Sequence, residues 1–374
     1  MWLLYNVERY TKHIKPTTNM RHILPLIAAI VLTSMSTAAQ EVKNIIYLIG
    51  DGMGLASVSM MQLESNYAPT VFDHADNVAL QKTYSLDNRV TDSAASGTAL
   101  ATGVKTNNTF ISVTPEGEEL ETIMEVASKR GKATGVVVTT YVQHATPAVF
   151  YAHTTSRHNY TEITRQLLAS DIDIAIGGGT AFFDELYKGR KYALKAIDKS
   201  GFTLFETIDA ANVSSAPRQL VLLADKEIEN RRGYLARATT TALRHLERIG
   251  GESGFVLMVE GSIIDGAGHG NDAVGQQAEM CDFMEAIELA LEYAASHTGT
   301  LVVVTADHET GGLSLVSNNS DFNLSEQGVE YRWTTDGHSG VMIPIYLYGT
   351  GAELINGVME NAELGAKLKE IIAK

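Results

Sequence analysis

Seven largely apolar runs recur along the chain, each about the length of one β-strand: Asn44–Gly50, Thr134–Thr140, Ile172–Ile176, Leu220–Ala224, Phe255–Val259, Leu301–Thr305 and Ile343–Tyr348. They do not alternate apolar with polar positions, so both faces of each strand are predicted to be covered. Between them lie stretches with helical periodicity, at Leu120–Arg130, Tyr160–Ser170, Gly233–Ile249 and Ala273–Ser296. Strands buried on both faces and alternating with helices predict an α/β fold, with a mostly parallel central sheet flanked by helices on both faces. No repeat, low-complexity segment or Pro/Ser-rich linker interrupts the pattern, so residues 40–374 are predicted to be a single domain. The polar stretch Ser317–Asp336 is predicted to be a surface loop or short lid.

The first 39 residues follow a different pattern. Arg21-His22 precedes the apolar run Ile23–Leu32, and Ser36-Thr37-Ala38-Ala39 stands before Gln40. A basic start, a short apolar core and small residues at a junction read as a secretory signal peptide, cleaved after Ala39. The run is too short to span a bilayer. Met20 stands directly before the basic residues, so translation is expected to begin there, with 1–19 a mis-assigned upstream extension. The expected location is the periplasm or the medium, with no membrane anchor in the mature chain.

Charge narrows the partners. The formal net charge is −15, and the first 39 residues contribute +3 (Arg9, Lys12, Lys15 and Arg21 against Glu8), leaving about −18 for the rest. That argues against nucleic acid or an anionic membrane. It also requires a strong local cation cluster for any anionic substrate. Cys281 is the only cysteine, which excludes an intrachain disulfide; it lies in an apolar-periodic helix and is expected to be a small buried hydrophobe.

Ligands of parallel sheets bind beyond the carboxyl ends of the strands. Here the first run ends at Asp51, the Phe255 run at Glu260, and the Leu301 run at Asp307-His308. If those strands are neighbours, their carboxylates repel one another unless cations hold them. Asp265 and His269, four apart in a glycine-rich run, suit zinc. A carboxylate with a hydroxyl such as Thr146 suits magnesium. Asp336-Gly337-His338-Ser339 offers another imidazole. Arg157 could grip a phosphate bidentately, although alone it reads as a surface residue, and His153 reads as structural. In Val90-Thr91-Asp92-Ser93-Ala94-Ala95-Ser96-Gly97, Ser93 falls where a helix begins, facing unpaired N–H groups that stabilise an anion. Taken alone, that stretch is an ordinary capped helix of small residues. Beside a metal, however, a serine needs no histidine base. Gly177-Gly178-Gly179 lacks the spacing of a nucleotide-binding loop and reads as a tight turn.

These motifs together resemble the alkaline phosphatase family. They are Ile49-Gly50-Asp51-Gly52-Met53-Gly54, the run around Asp92-Ser93, and Gln143-His144-Ala145-Thr146-Pro147 with Arg157. Glu260-Gly261 with Asp265 and His269, Thr305-Ala306-Asp307-His308-Glu309-Thr310-Gly311-Gly312, and Gly337-His338-Ser339 complete the set, which spans Asp51–His338. The resemblance implies two zinc ions, one held by Asp265, His269 and His338, the other by Asp51, Asp307 and His308. It implies one magnesium held by Asp51, Thr146 and Glu260. Ser93 would become a phosphoserine, Arg157 would hold the phosphoryl oxygens, and Asp92 and His144 would stand behind the ligands. Phosphate monoesters would be the substrates and a homodimer the usual assembly. Two positions bear on this: family members carry either Asp or His where His144 stands, and Gly266 replaces a residue that is often large or charged, which implies weaker product binding. The main alternatives are a phosphodiesterase of the same superfamily and a catalytically silent metal- or phosphate-binding protein. A sulfatase would need a C/S-x-P-x-R setting that neither Ser93 nor Cys281 has.

Overall fold

The computed structural model describes residues 41–228, 232–318 and 328–374, so the predicted upstream extension and signal peptide lie outside the described residues. The strands, in chain order, are β1 (Asn44–Gly50), β2 (Asn77–Lys82), β3 (Ala133–Tyr141), β4 (Ile174–Gly178), β5 (Thr203–Phe205), β6 (Gln219–Leu222), β7 (Phe255–Gly261) and β8 (Thr300–Thr305), then β9 (Glu309–Thr310), β10 (Ser314–Ser317), β11 (Val329–Arg332), β12 (His338–Ser339), β13 (Ile343–Gly349) and β14 (Gly357–Glu360). Ten of them form one sheet in the order β14-β2-β13-β8-β1-β7-β3-β4-β6-β5. Every pairing in it is parallel except those of β13, which runs against β8 and β2. The mostly parallel sheet expected from the buried runs is therefore present.

Side chains alternate across β1. Ile45, Tyr47 and Ile49 join one apolar cluster, and Ile46 and Leu48 join the other. The first cluster takes in Leu167 and Leu168 of helix Tyr160–Ala169 and Leu364, Leu368 and Ile371 of helix Asn361–Ala373. The second takes in Leu235, Ala238 and Leu246 of helix Tyr234–Gly250, and Met280, Phe283, Ala286 and Ile287 of helix Ala273–Ser296. Each fully buried Leu, Ile or Phe contributes roughly 1.5–3 kcal/mol, so helices must cover both faces. Among the described residues no helix is long and apolar enough to cross a membrane.

Two expectations need correction. Cys281 is exposed, not buried. The buried stripe of its helix runs through Met280 and Phe283, and residue 281 points one step to the side of that stripe. Part of the stretch 317–336 is not loop: Val-Glu-Tyr-Arg at β11 alternates as an edge strand does and pairs antiparallel with β10.

The helix Ser93–Thr102 is unusual because all ten of its residues are buried. It has no apolar stripe of large side chains, and its small residues let neighbours approach its backbone from several sides. A Cβ built at Gly365, in the C-terminal helix, would meet the Ala99 carbonyl oxygen at 2.2 Å. Asp92 caps the start by accepting from the Ala95 N–H at 3.0 Å, worth about 1 kcal/mol. Gly103 closes the end at φ +79°.

Candidate metal centre

Strand order decides where the acidic residues meet. β1 lies between β7 and β8, with Ile49 in register with Glu260 on one side and Thr305 on the other. Asp51, Glu260 and Asp307 therefore converge at one carboxyl edge, all fully buried. Asp51 Oδ1, both Glu260 carboxylate oxygens and Asp307 Oδ2 have no hydrogen-bond partner. Leaving such acceptors unpaired costs several kcal/mol each. Burial, reinforced by Asp307, Asp265 and Glu260, drives the Asp51 carboxyl well above the ordinary range. Burial likewise pushes Glu260 up to about 8. Oxygen-rich, water-excluded and anionic, the pocket suits divalent cations.

The imidazoles complete it. His308 Nε2 lies 3.2 Å from Asp307 Oδ2, 3.5 Å from Asp51 Oδ1 and 3.2 Å from Ser93 Oγ. His338 Nε2 stands 3.6 Å from Asp265 Oδ1, and His269 Nε2 stands 3.3 Å from Asp265 Oδ2. Asp265 is held well below the usual carboxylate range: burial opposes this, but the His269 hydrogen bond and the His308 charge outweigh it. The antiparallel pairing of β12 with β9 places His338 opposite Thr310 and stacks its ring on His308, 3.6 Å between centroids.

Three sets of donor atoms result, each within 4.8 Å: Asp51, Asp307 and His308; Asp265, His308 and His338; and Asp51, His144 and Glu260. The first matches a ligand set expected from the sequence. The second has His308 where His269 was expected, although His269 flanks the same carboxylate. The third holds Asp51 and Glu260 of the remaining expected set together with His144, and Thr146, the other expected member, donates its hydroxyl to Asp51 Oδ2 at 3.5 Å.

The Arg157 side of the site is equally built. Arg157 NH1 donates to Asp92 Oδ2 at 3.0 Å, and NH2 lies 3.1 Å from His144 Nε2. The other Asp92 oxygen accepts from Ala95 and Thr109 N–H groups. One carboxylate thus caps the serine helix and orients the guanidinium. Burial, with the Arg157 charge, depresses His144 to about 3, so the ring is neutral. His153 is structural as expected, with Nδ1 2.8 Å from the Ser112 carbonyl.

How the imidazoles are aimed is not readable from residue types. His338 Nδ1 donates to the Thr91 carbonyl at 2.8 Å and His269 Nδ1 to the Asp336 carbonyl at 2.5 Å. His308 Nδ1 lies 3.2 Å from Thr310 Oγ1, and that hydroxyl also donates to Asp265 Oδ1. A hydroxyl has one proton, so Thr310 must accept from His308 while donating to Asp265. All three rings therefore turn Nε2 inward. Thr310 lies two residues after His308 on extended chain, hence on the same side; that spacing was the available signal. The Thr310→Val variant is expected to bind a divalent cation, probed with zinc, 10–100-fold more weakly, the usual effect of losing a ligand-orienting partner; competitive chelator titration measures it, and an unchanged constant would refute the bridge.

Comparison with known proteins follows the same lines. The sequence model described as "Alkaline phosphatase" matches residues 42–327. Alkaline phosphatase 3 of Bacillus subtilis is 33% identical over 87% of each chain. The structure of an alkaline phosphatase from the Antarctic bacterium TAB5 superposes with a TM-score of 0.83 at 35% identity, covering 89% of this chain and 98% of that one. A variant of the TAB5 enzyme has Mg bound in its M3 site.

Proposed function

We propose that this chain, which belongs to the alkaline phosphatase family, hydrolyses phosphate monoesters through a phosphoserine formed on Ser93. The observation that carries the reading is the convergence of Ser93 Oγ, Arg157 and three contiguous donor sets at one sheet edge. The chain is a phosphatase with candidate metal sites; the ions and the serine chemistry are our reading. Asp265, His269 and His338 would hold one zinc, Asp51, Asp307 and His308 a second, and Asp51, Thr146 and Glu260 a magnesium. When bound, such cations neutralise the phosphoryl oxygens and make hydroxide available at moderate pH.

The residues divide the work. Arg157 grips two phosphoryl oxygens, pre-aimed by Asp92. Ser93 Oγ attacks phosphorus as the ester oxygen leaves with its alcohol, and water then cleaves the Ser93–phosphate bond. Helix N–H groups behind Ser93 favour the added negative charge. Neutral His144 adds no charge near Arg157. The test is turnover of a chromogenic monoester across pH 7–11 with zinc and magnesium; turnover of diesters alone would replace this reading with the phosphodiesterase one.

Gly266 is open: a Cβ there meets only Ile263, at 3.4 Å. A Gly266→Trp variant is expected to strengthen inhibition by inorganic phosphate about tenfold, the effect of one added hydrogen bond to a charged group; unchanged inhibition would remove Gly266 from the account of product release.

The N-terminal pattern supports export to the periplasm or medium, which the mass of the mature protein tests. Tyr84, Leu86, Val104, Val341 and Met342 are all more than 40% exposed. These apolar residues support a homodimer, and a monomer by light scattering would overturn it.

A further inference from the structure

Glu309 follows His308 and is 4% exposed, yet the reaction described above does not use it. Its side chain is held at both ends. Behind, the stem lies against the turn that carries Asp51: a Cβ at Gly54 would meet Glu309 Cγ at 2.3 Å. In front, Oε1 accepts from the Leu313 N–H at 3.1 Å, and Oε2 accepts from the Ser339 hydroxyl. Ser339 is the residue after His338. The antiparallel pairing of β12 with β9 sets Ser339 opposite Glu309 and His338 opposite Thr310. Successive residues of a strand face opposite ways. The Glu309–Ser339 bond therefore lies on one side of this small ladder and the histidine ring on the other.

The ladder needs that bond. β9 and β12 have two residues each, whereas strands usually run to about 3–10. β9 is fixed to the Asp51 turn, because the Thr310 N–H donates to the Gly52 carbonyl at 3.2 Å. β12 runs directly into the exposed residues Gly340, Val341 and Met342. A slip of one residue would put Ser339 where His338 stands and turn the imidazole away from Asp265 and His308. It would also leave a buried carboxyl oxygen of Glu309 unpaired, which opposes the slip. We infer that Glu309 is a positioning residue: through Ser339 it fixes the register of β12, and with it the place of His338 Nε2, 3.6 Å from Asp265 Oδ1. This rests on the reading that His338 holds a cation.

The test titrates zinc against a competing chelator in the full chain and in Ser339→Ala, Glu309→Leu and Glu309→Gln, with a thermal melt of each chelated protein. Ser339→Ala and Glu309→Leu are expected to weaken one zinc constant about 10–100-fold, the effect of losing a ligand-orienting partner, and to leave the others unchanged. Glu309→Gln retains it: the amide oxygen still accepts from Leu313, and the amide nitrogen donates to the Ser339 hydroxyl, which turns to accept. Ser339→Ala keeps Glu309 and its packing, so it reads the bond even where Glu309→Leu fails to fold. A lower melting temperature with every zinc constant unchanged would show a merely structural acid and overturn the proposal. If the wild type takes up no zinc, the cation reading fails by itself. The stacking of His338 on His308, read by NMR of the chelated protein with isotope-labelled histidine, then decides the register. The His338 signal is expected to move in Ser339→Ala and to stay in Glu309→Gln; an unmoved signal in Ser339→Ala overturns the positioning role.

Discussion

Replacing Ser93 by alanine is expected to lower phosphate monoester hydrolysis by roughly three orders of magnitude or more, with the fold intact. Ser93 is 2% exposed, at the first turn of a fully buried helix, with Oγ 3.2 Å from His308 Nε2. The substitution removes one oxygen and keeps a good helix former, so the cap from Asp92 and the packing survive. What is lost is the atom that attacks phosphorus in the proposed mechanism. Positioning by Arg157 and neutralisation by cations remain, so a slow direct attack by water sets the floor. Initial rates on a chromogenic monoester, with a thermal melt of each protein, measure this. Covalent labelling by radioactive phosphate, present in the wild type and absent in Ser93→Ala, is the second readout. A variant within tenfold of wild type would remove the phosphoserine from the mechanism.

Chelation is expected to abolish turnover and to make the fold sensitive to pH. Without cations, the Asp51 and Glu260 carboxyls have folded-state pKa values above their ordinary ones, chiefly through burial. The folded chain then holds protons that the unfolded chain has released, so stability falls as pH rises. For Glu260 the loss runs from the ordinary carboxylate range to about 8. His269, raised to about 9 mainly by its hydrogen bond to Asp265, acts in the same direction from its ordinary value upward. Cations reverse this by binding the ionised forms. At a hundred times its Kd, one bound ion adds about 2.7 kcal/mol, or roughly 5–10 °C in Tm at 2–4 °C per kcal/mol. The gap in Tm between metal-loaded and chelated protein should therefore widen from pH 5 to pH 8. A gap that is absent, or constant with pH, would show that these carboxylates do not hold metal.

Most of the fold was legible because buried strands announce themselves. Asn44–Gly50 and Ala273–Ser296 were placed to the residue. β2, β14 and the C-terminal helix were not anticipated: β2 lies near the sheet edge and mixes buried with half-buried positions, and the other two are short or amphipathic. Nor could sequence tell that β13 runs antiparallel, since both kinds of strand can be apolar throughout. At the site, residue types at strand ends pointed to Asp51, Glu260, Asp307 and His308, but not to which strands were neighbours. The resemblance supplied that grouping. The orienting contacts stayed hidden because two of them are carbonyls, of Thr91 and Asp336, and a carbonyl carries no residue signature.

The close approach of Gly365 to Ala99 belongs to a larger connection. From the start of the C-terminal helix, Asn361 Nδ2 donates to Ser96 Oγ at 3.0 Å, and Ser96 Oγ donates to the Asp307 carbonyl at 2.6 Å. The helix bearing Ser93 and the strand end bearing Asp307 are thus tied together by a helix of 13 residues, Asn361–Ala373. Ribosomes make that segment after both of the elements it ties together. While the polypeptide is still being synthesised, the serine helix has nothing over Ala99 and Gly103, and the Ser96 link lacks its Asn361 partner. The active arrangement is therefore completed only once Asn361–Ala373 has been made and docked, so a chain interrupted before it is expected to stay silent however well its sheet has formed.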